Sequence, residues 1–437
     1  MVIGGDAGGM TAATQARRMR RDDLEIVVLE KSEWVSYSAC GIPYLVGGDV
    51  PEWDDLVVRT PDELRARHID VRIRNEAMAV DLDRRKVQVR NHEHRRNFEI
   101  GFDQLVFATG ARPMRPDVPG IDLPHVHGVQ TLDDGRRLLA RARESECEHV
   151  VVVGGGYIGL EMAEAFTKWG ASITVVDSAP EVMGVLDPDM GRLVREAMQS
   201  HGIDVRCDTS LEAIQEETVV AGGDRIKAEL VVLGTGVEAR SELARDAGIP
   251  TGRKQAIRVD RRQQTEVDGV WAAGDCAESR SRVSGEPIHL PLGTVANKHG
   301  RVVGINLGGG YATFPGVVGT AATKLCDTEI ACTGLNERAA SAAGFVFDSG
   351  TIESTTRAGY LSETGTARVK MLAERGTGRV LGAQIVGSDG AAKRIDVVAA
   401  ALTAGLTAGE LVDLDLAYAP PFSPLWDPVQ VAARKLT

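Results

Sequence analysis

Six cysteines are the residues of this sequence best suited to redox or nucleophilic chemistry. They stand at positions 40, 147, 207, 276, 326 and 332, and no two of them form a C-x-x-C pair. This spacing argues against a zinc ribbon, a thioredoxin-type motif and an iron–sulfur cluster. Cys40 has Leu, not Cys, five residues after it, so any redox role must use an external sulfur or an oxidised form of Cys40 itself. The alternative is a small buried hydrophobic residue.

Two glycine-rich turns offer a second chemistry, which is phosphate binding. The turn of Gly4, Gly8 and Gly9 follows a short apolar run, and the turn of Gly154, Gly156 and Gly159 follows a run of four valines. Glycine permits the tight turn, the close approach of a pyrophosphate and the packing of the following helix, whose N-terminus favours anions. The second turn fits G-x-G-x-x-G completely, whereas Asp6 occupies the middle glycine position of the first. Either turn could also be a strand–helix junction without a ligand.

Acidic residues at the ends of the next apolar runs support nucleotide binding. Glu30 comes 21 residues after Gly9 and Asp177 comes 18 residues after Gly159, close to the offset at which a carboxylate accepts a hydrogen bond from a ribose hydroxyl. A solvated carboxylate at a strand end is the alternative. The charge of Asp177 would repel a 2′-phosphate, and the Ser-Ala-Pro that follows it supplies no basic side chain. The sequence therefore predicts NADH in preference to NADPH.

Elements that must position these residues can be read from the apolar pattern. Each turn lies between a strand and a helix, which predicts an α/β fold with two Rossmann-like domains of related design. After residue 314 the glycine turns stop, and the pattern predicts strands at 317–325, 344–354 and 367–372 and a helix at 391–404. This part is expected to be an α+β domain. The first strand has only three residues, which suggests a natural start upstream of Met1.

Composition limits the partners. The chain has 437 residues and a net charge of −12, so a nucleic-acid footprint, which would be basic, is not expected. No apolar run reaches the roughly 18 residues that would span a bilayer, and the N-terminus lacks a signal pattern. We therefore expect a cytoplasmic protein without a membrane partner. No metal site is expected.

Two further segments complete a family resemblance, namely 108–113 (ATGARP) and 269–275 (GVWAAGD). Together with the two turns, they resemble the pyridine nucleotide–disulfide oxidoreductases over essentially the whole chain. The resemblance implies an FAD-binding domain of residues 1–112 and 238–313, an NAD(P)H-binding domain of residues 113–237 and a dimerisation domain of residues 314–437. It also implies a homodimer.

The resemblance assigns cofactor-binding residues to both sites. Tyr157 would gate the nicotinamide pocket, and Asp275 would meet the ribityl–phosphate part of FAD. The residues implied for FAD are Gly4, Gly8, Gly9, Glu30, Lys31, Thr109, Gly110, Arg112 and Asp275. Those implied for NADH or NADPH are Gly154, Gly156, Tyr157, Ile158, Gly159, Glu161 and Asp177.

Residues 36–44 (SYSACGIPY) resemble the single-cysteine active site of coenzyme A disulfide reductases, as do residues 320–337 and 418–428. Cys40 would be the nucleophile, and Tyr418 and Tyr360 would supply protons, because the chain has no histidine after His299. Ser36, Ala39, Gln15 and Arg18 would bind substrate. Two residues depart from the pattern: Ala39 replaces the usual Asn, and Leu361 follows Tyr360 in place of Pro.

The resemblance implies that electrons pass from NAD(P)H through FAD and Cys40 to a low-molecular-weight disulfide, with coenzyme A disulfide as the leading candidate. A position at a helix start is expected to lower the pKa of the Cys40 thiol. Arg17, Arg18, Arg20 and Arg21 close the first helix, where they would meet the phosphates of coenzyme A or simply be solvated.

Three other functions stay open. One is reduction of coenzyme A persulfide or polysulfide at the same site. A second is an NADH oxidase or peroxidase that cycles through a Cys40 sulfenic acid, although those relatives usually carry a histidine where this chain has Ala7. The third is a flavin-binding redox sensor or assembly protein.

Overall fold

The computed structural model describes residues 1–20, 23–144 and 147–437. A first parallel sheet of five strands draws its strands from two separate parts of the chain, because one edge strand comes from near residue 270. In sheet order the strands are Val270–Ala272, Leu105–Phe107, Val2–Ile3, Val27–Leu29 and Asp70–Arg72. The helices of this part are Ala7–Met19, Ile42–Val46, Pro61–Arg65, Glu242–Asp246 and Gly293–Leu307, and an antiparallel sheet comprises Asn75–Asp81, Lys86–Asn91 and Arg96–Gly101.

A second parallel sheet of five strands repeats this design and confirms the prediction of two related α/β units. Its strands, in order, are Asp204–Arg206, Ser172–Val176, His149–Val153, Leu230–Leu233 and Val126–Gly128. The helices Leu132–Glu144, Tyr157–Thr167 and Pro188–Ser200 accompany it, with a small antiparallel sheet of Leu211–Ile214, Thr218–Ala221 and Asp224–Lys227. The chain passes out of and back into the first part through the antiparallel pair Ala111–Pro113 and Val237–Ala239.

The third part is a five-stranded antiparallel sheet with helices, as the α+β prediction required. In order the strands are Ala321–Leu325, Thr328–Gly334, Val380–Gly387, Thr366–Glu374 and Phe347–Thr355, and the helices are Glu337–Ala342, Ile395–Ala404, Ala408–Val412 and Pro428–Arg434. The prediction missed the strands Thr328–Gly334 and Val380–Gly387. Glycine normally weakens a strand interior, but Gly382 allows close backbone packing here, because an added Cβ would lie 2.1 Å from the Leu335 carbonyl oxygen.

The helix after the first turn is held by a second helix that carries glycines on one face. A Cβ on Gly300 would lie 2.3 Å from the Gly8 carbonyl oxygen, and a Cβ on Gly304 would lie 2.6 Å from the Ala12 carbonyl oxygen. The two backbones therefore approach more closely than any side chain would allow. This contact fixes Ala7–Met19, and with it the first turn, in the fold. Among the described residues, no helix is both long and apolar enough to cross a bilayer.

Candidate active site

One large cleft, with a volume of about 2460 Å³, contains most of the chemistry predicted from the sequence. Both glycine turns line it, and so does Cys40. The predicted site residues that line it are Gly4, Gly8, Glu30, Lys31, Thr109, Gly110, Asp275, Gly154, Gly156, Tyr157, Ile158, Glu161, Asp177, Gln15, Arg18, Ser36, Ala39 and Cys40. Gly9 and Gly159 lie behind the two turns.

The first turn has a backbone that only glycine can supply at two places. Gly4 has a φ of 111°, and an added Cβ would lie 2.0 Å from the Ala108 carbonyl oxygen. A Cβ on Gly9 would lie 2.0 Å from the Gly4 carbonyl oxygen, inside the turn itself. Glu30 accepts a hydrogen bond from the Gly5 backbone N–H at 2.9 Å. The turn and the end of the neighbouring strand are thereby held together.

The second turn repeats this geometry. Gly154 has a φ of 99°, and a Cβ on Gly159 would lie 1.9 Å from the Gly154 carbonyl oxygen. Asp177 accepts a hydrogen bond from the Gly155 backbone N–H at 2.7 Å, as Glu30 does in the first turn. The two turns thus present equivalent backbone cradles, each beside a carboxylate at the end of the next strand.

The two turns differ at the middle position, which is Asp6 in the first and Gly156 in the second. The Asp6 carboxylate accepts a hydrogen bond from the Tyr37 backbone N–H at 3.2 Å, so it connects the turn to the Cys40 segment. Burial, with the nearby charge of Glu30, raises the pKa of Asp6 to about 7. Burial also raises the pKa of Asp275 to about 6. The cavity wall therefore holds two buried carboxyl groups near each other.

Cys40 lies in the 3₁₀ turn Ala39–Gly41, exposed at the cleft surface as a free thiol. The segment is anchored to the first turn, because the Ser36 backbone N–H donates to the Gly5 carbonyl oxygen at 2.8 Å. The expectation of a lowered pKa is wrong in this structure. Desolvation of the sulfur by the surrounding protein raises the pKa of Cys40, and the charge of Glu161 raises it further. The helix that follows has only five residues, so its dipole offers little compensation.

Residues from the third sheet complete the cleft on the side of the second turn. The Tyr157 hydroxyl lies 3.3 Å from the sulfur of Cys332, and burial raises the pKa of both groups. Thr323 donates a hydrogen bond to Glu161 at 3.0 Å, and burial raises the pKa of Glu161. Sequence reasoning missed both contacts, because each joins residues more than 160 positions apart.

Tyr360 and Tyr418 do not line this cleft. They lie beside each other on the third part, where Tyr360 is 76% exposed and Tyr418 is 47% exposed. Partial desolvation and the neighbouring Tyr418 phenol raise the pKa of Tyr360. Phe422 and Leu425 are also exposed, at 77% and 72%. Exposed apolar side chains at this density are typical of an interaction surface.

Several basic side chains line the cleft. Arg18 lines it together with Gln15, and so do Arg59, Lys298 and Arg301, which sequence reasoning missed. These three come from other segments of the chain, so no local pattern marked them.

The other basic residues singled out from the sequence are placed differently. Arg17 donates to the carbonyl oxygens of Leu24 and His68, which is a structural role. Arg21 lies outside the described residues. Arg112 does not line the cleft but pairs with Glu238 across the two-stranded link and with Glu242 in the helix Glu242–Asp246. Burial lowers the pKa of Lys31, which does line the cleft.

Comparison with known proteins gives matches over almost the whole chain. Residues 1–300 match the family model "pyridine nucleotide-disulphide oxidoreductase", and residues 320–428 match the dimerisation domain of the same family. The NAD(P)H coenzyme A polysulfide/persulfide reductase of Pyrococcus horikoshii is 38% identical over 442 residues, covering 100% of this chain and 98% of that protein.

Two solved structures are similar throughout. A NAD-dependent persulfide reductase from A. fulgidus superimposes with a TM-score of 0.96 and 39% identity, covering 99% of this chain and 82% of that one. The reduced Bacillus anthracis CoADR-RHD superimposes with a TM-score of 0.97 and 31% identity, covering 100% of this chain and 79% of that one.

Proposed function

Because the chain belongs to the pyridine nucleotide-disulphide oxidoreductase family, we propose that Cys40 reduces the sulfur–sulfur bond of a low-molecular-weight substrate, with coenzyme A disulfide as the first candidate. The protein is an NAD(P)H-dependent enzyme that uses FAD. The observation that carries the proposal is that Cys40 lines the same cleft as both glycine turns.

The two cradles suit the two dinucleotides. Each turn leaves no room for a Cβ within itself and presents a helix N-terminus to the cleft, which is the arrangement that binds a pyrophosphate. In our proposal the first turn, with Glu30, Thr109 and Asp275, holds FAD, and the second turn, with Tyr157 and Asp177, holds the nicotinamide nucleotide. FAD, when bound, takes two electrons from NAD(P)H and makes them available to sulfur.

Cys40 would act as a thiolate. Its sulfur attacks one sulfur of the substrate disulfide, the substrate S–S bond breaks, and one coenzyme A thiolate leaves while a mixed disulfide forms on Cys40. Two electrons then cleave the mixed disulfide, which releases the second coenzyme A and restores the Cys40 thiolate. The sum is one disulfide, one NAD(P)H and one proton converted to two thiols and NAD(P)⁺.

The leaving thiolate requires a proton, and the chain has no histidine after His299 that could supply it. We propose that Tyr418 and Tyr360 of the partner subunit donate it in a homodimer. Their exposure on the third part supports this, because a partner could cover them. Because the protein has a net charge of −12, the phosphates of coenzyme A need a local group of basic side chains to bind them. The proposed site comprises Gln15 and Arg18, which line the cleft, with Ser36 and Ala39 near Cys40 in sequence.

A second candidate substrate is coenzyme A persulfide. The relatives at 38% and 39% identity carry persulfide reductase names, which favours it. The same attack by Cys40 would then yield coenzyme A and hydrogen sulfide in place of two coenzyme A molecules. Product analysis separates the candidates, because only the persulfide yields sulfide.

The proposal is tested with Cys40→Ser, and Cys207→Ser serves as the matched control because Cys207 does not line the cleft. Under anaerobic conditions, Cys40→Ser should keep bound FAD and lose thiol release, while Cys207→Ser keeps both. Most turnover remaining in Cys40→Ser would remove that residue from the mechanism. NADH consumption that requires oxygen and releases no thiol would favour the oxidase alternative. Slow flavin reduction without repeated turnover would favour a redox sensor.

Two wider proposals accompany this function. We propose the domain division 1–112 with 238–313, 113–237 and 314–437, which limited proteolysis followed by mass spectrometry would test. We also propose a cytoplasmic location, which fractionation of cells would test.

A further inference from the structure

A loop of residues 183–187, here called the cleft loop, lies between the second turn and the third part of the protein and ends where the helix Pro188–Ser200 begins. Gly184 and Val185 of this loop line the cleft. At its start, the Met183 backbone N–H donates to the Gly155 carbonyl oxygen, in the middle of the second turn, at 2.8 Å. Met183 is buried and has a φ of 53°, a left-handed conformation that side chains with a Cβ adopt only when their surroundings impose it.

The third part holds the far end of the cleft loop through Asp187. Gln384 makes two hydrogen bonds to this residue: its side-chain oxygen accepts from the Asp187 backbone N–H at 2.8 Å, and its Nε2 donates to the Asp187 carboxylate at 2.7 Å. The other carboxylate oxygen accepts from the Glu337 backbone N–H at 2.9 Å. Asp187 and Gln384 are each 2% exposed. The hydrogen bonds between Asp187 and Gln384 are therefore shielded from water.

Lys370 adds a buried cation to this junction. Its Nζ lies 3.2 Å from Asp187, 2.8 Å from Asp189 and 3.0 Å from Glu337, and the side chain is 5% exposed. Lys370 and Gln384 stand on adjacent strands whose other buried residues are largely apolar. A buried ion pair adds little stability compared with an apolar core, but removing one partner leaves an unpaired buried charge.

Two more contacts reach the part of the loop that faces the cleft. Asn336 donates to the Val185 carbonyl oxygen at 3.2 Å, and Arg338 donates to the Gly184 carbonyl oxygen at 3.2 Å. Both donors belong to the third part, and both side chains are partly or largely exposed.

We infer that Lys370, Gln384 and Asp187 are positioning residues for nicotinamide-nucleotide binding, because they hold the cleft loop in register with the second glycine turn. The inference rests on the proposed assignment of that turn to NAD(P)H. Only one residue, Leu186, lies between Asp187 and Val185 at the cavity wall, so release of Asp187 displaces the wall directly. Among the described residues, the hydrogen bonds and ion pairs of Asp187, Gln384 and Lys370 do not reach the first turn or Cys40, so disulfide binding should be spared.

The test compares Lys370→Met, Asp187→Asn and Gln384→Leu with the control Arg375→Met, which breaks an exposed ion pair to Asp348 at the edge of the same sheet. We measure KM for NADH, KM for coenzyme A disulfide and the Kd of NAD⁺ by calorimetry. The junction variants should raise KM for NADH and the Kd of NAD⁺ about tenfold, with KM for the disulfide within twofold. The control should change none of them.

Equal increases in both KM values, or an unchanged Kd of NAD⁺ in folded junction variants, would overturn the inference. If the buried substitutions prevent folding, the double variant Asn336→Ala with Arg338→Ala decides, because those side chains are not in the core. It should raise the Kd of NAD⁺ about threefold, and no change would overturn the inference. The Kd needs no disulfide turnover, so this result is independent of whether Cys40→Ser retains activity.

Discussion

Asp177 should make the enzyme prefer NADH to NADPH. Its carboxylate is fixed in the cleft by two backbone donors, the Gly155 N–H at 2.7 Å and the Ala179 N–H at 2.9 Å. The cleft-lining residues that are close to Asp177 in sequence, or lie in the segments that contact it or the second turn, include Val176, Ser178, Ala179, Gly184, Val185, Thr209, Ser210 and Leu211, and none of these is basic. A 2′-phosphate at this place would meet a negative charge with no compensating cation among these residues.

The size of the preference follows from the charge. Two unit charges about 4 Å apart repel by roughly 1 kcal/mol in bulk water and roughly 4 kcal/mol near a protein surface. At about 1.4 kcal/mol for each factor of ten, these energies correspond to roughly fivefold and roughly 700-fold, so wild-type kcat/KM should be at least about fivefold higher with NADH. Asp177→Asn removes the repulsion and also weakens a charge-assisted hydrogen bond to the ribose, worth about 1.5–3 kcal/mol. It should therefore lower kcat/KM for NADH about tenfold and raise that for NADPH.

Steady-state kinetics with both nucleotides check this prediction. Glu30→Gln is the matched variant, because Glu30 holds the same place beside the first turn. It should reduce the bound FAD measured by absorbance and leave the ratio of the two nucleotides unchanged. A tenfold or larger preference of the wild-type enzyme for NADPH would refute the reasoning, as would an Asp177→Asn variant with an unchanged ratio.

Three further outcomes are expected. Gly304→Ala should lower the free energy of unfolding by about 1–3 kcal/mol because its Cβ would meet the backbone of the helix Ala7–Met19. Gly293→Ala, in the same helix as Gly304, has open space around its Cβ and should not lower it. Denaturant titration measures both, and equal free energies of unfolding would contradict the close contact of the two helices. Because the pKa of Cys40 is raised, its alkylation should accelerate only at high pH. Glu161→Gln removes a negative charge and should move the midpoint of the alkylation rate against pH to a lower pH. An unchanged midpoint would exclude the Glu161 charge as a cause of the raised pKa. Tyr418→Phe should reduce kcat for disulfide by roughly 10²-fold with FAD content intact, and an unchanged kcat would exclude the phenol as a proton donor.

The parts of the site that could be predicted are those whose physical cause is local in sequence. Gly4 and Gly154 have a positive φ, which is a property of a single residue. A Cβ at Gly9 or Gly159 would collide with the carbonyl oxygen of Gly4 or Gly154, which lies within six positions in the same turn. Short-range glycine spacing therefore marks both turns. The strand Val380–Gly387 was missed for the opposite reason. Its glycine is required by a backbone contact with Leu335, which is distant in sequence.

The pKa of Cys40 could not be predicted because its causes come from three separate segments. Desolvation depends on the whole cleft, and the charges that raise the pKa belong to Glu161, Asp275 and Asp6. The sequence reveals only the short helix that follows Cys40, and a helix N-terminus would have lowered the pKa. The collective effect of burial and carboxylates outweighs it.

The third part of the chain contributes to the cleft through contacts that no sequence pattern marks. Thr323 reaches Glu161, Cys332 reaches Tyr157, and Gln384 reaches Asp187, and in every pair the second residue belongs to the side of the second turn. A module needed only to join two subunits would not have to place polar side chains there. Each contact is buried or partly buried and pairs a polar group of Glu161, Tyr157 or Asp187. Moving the third part would therefore expose these groups to water or leave them without a hydrogen-bond partner. The geometry of the second turn is therefore coupled to the third part.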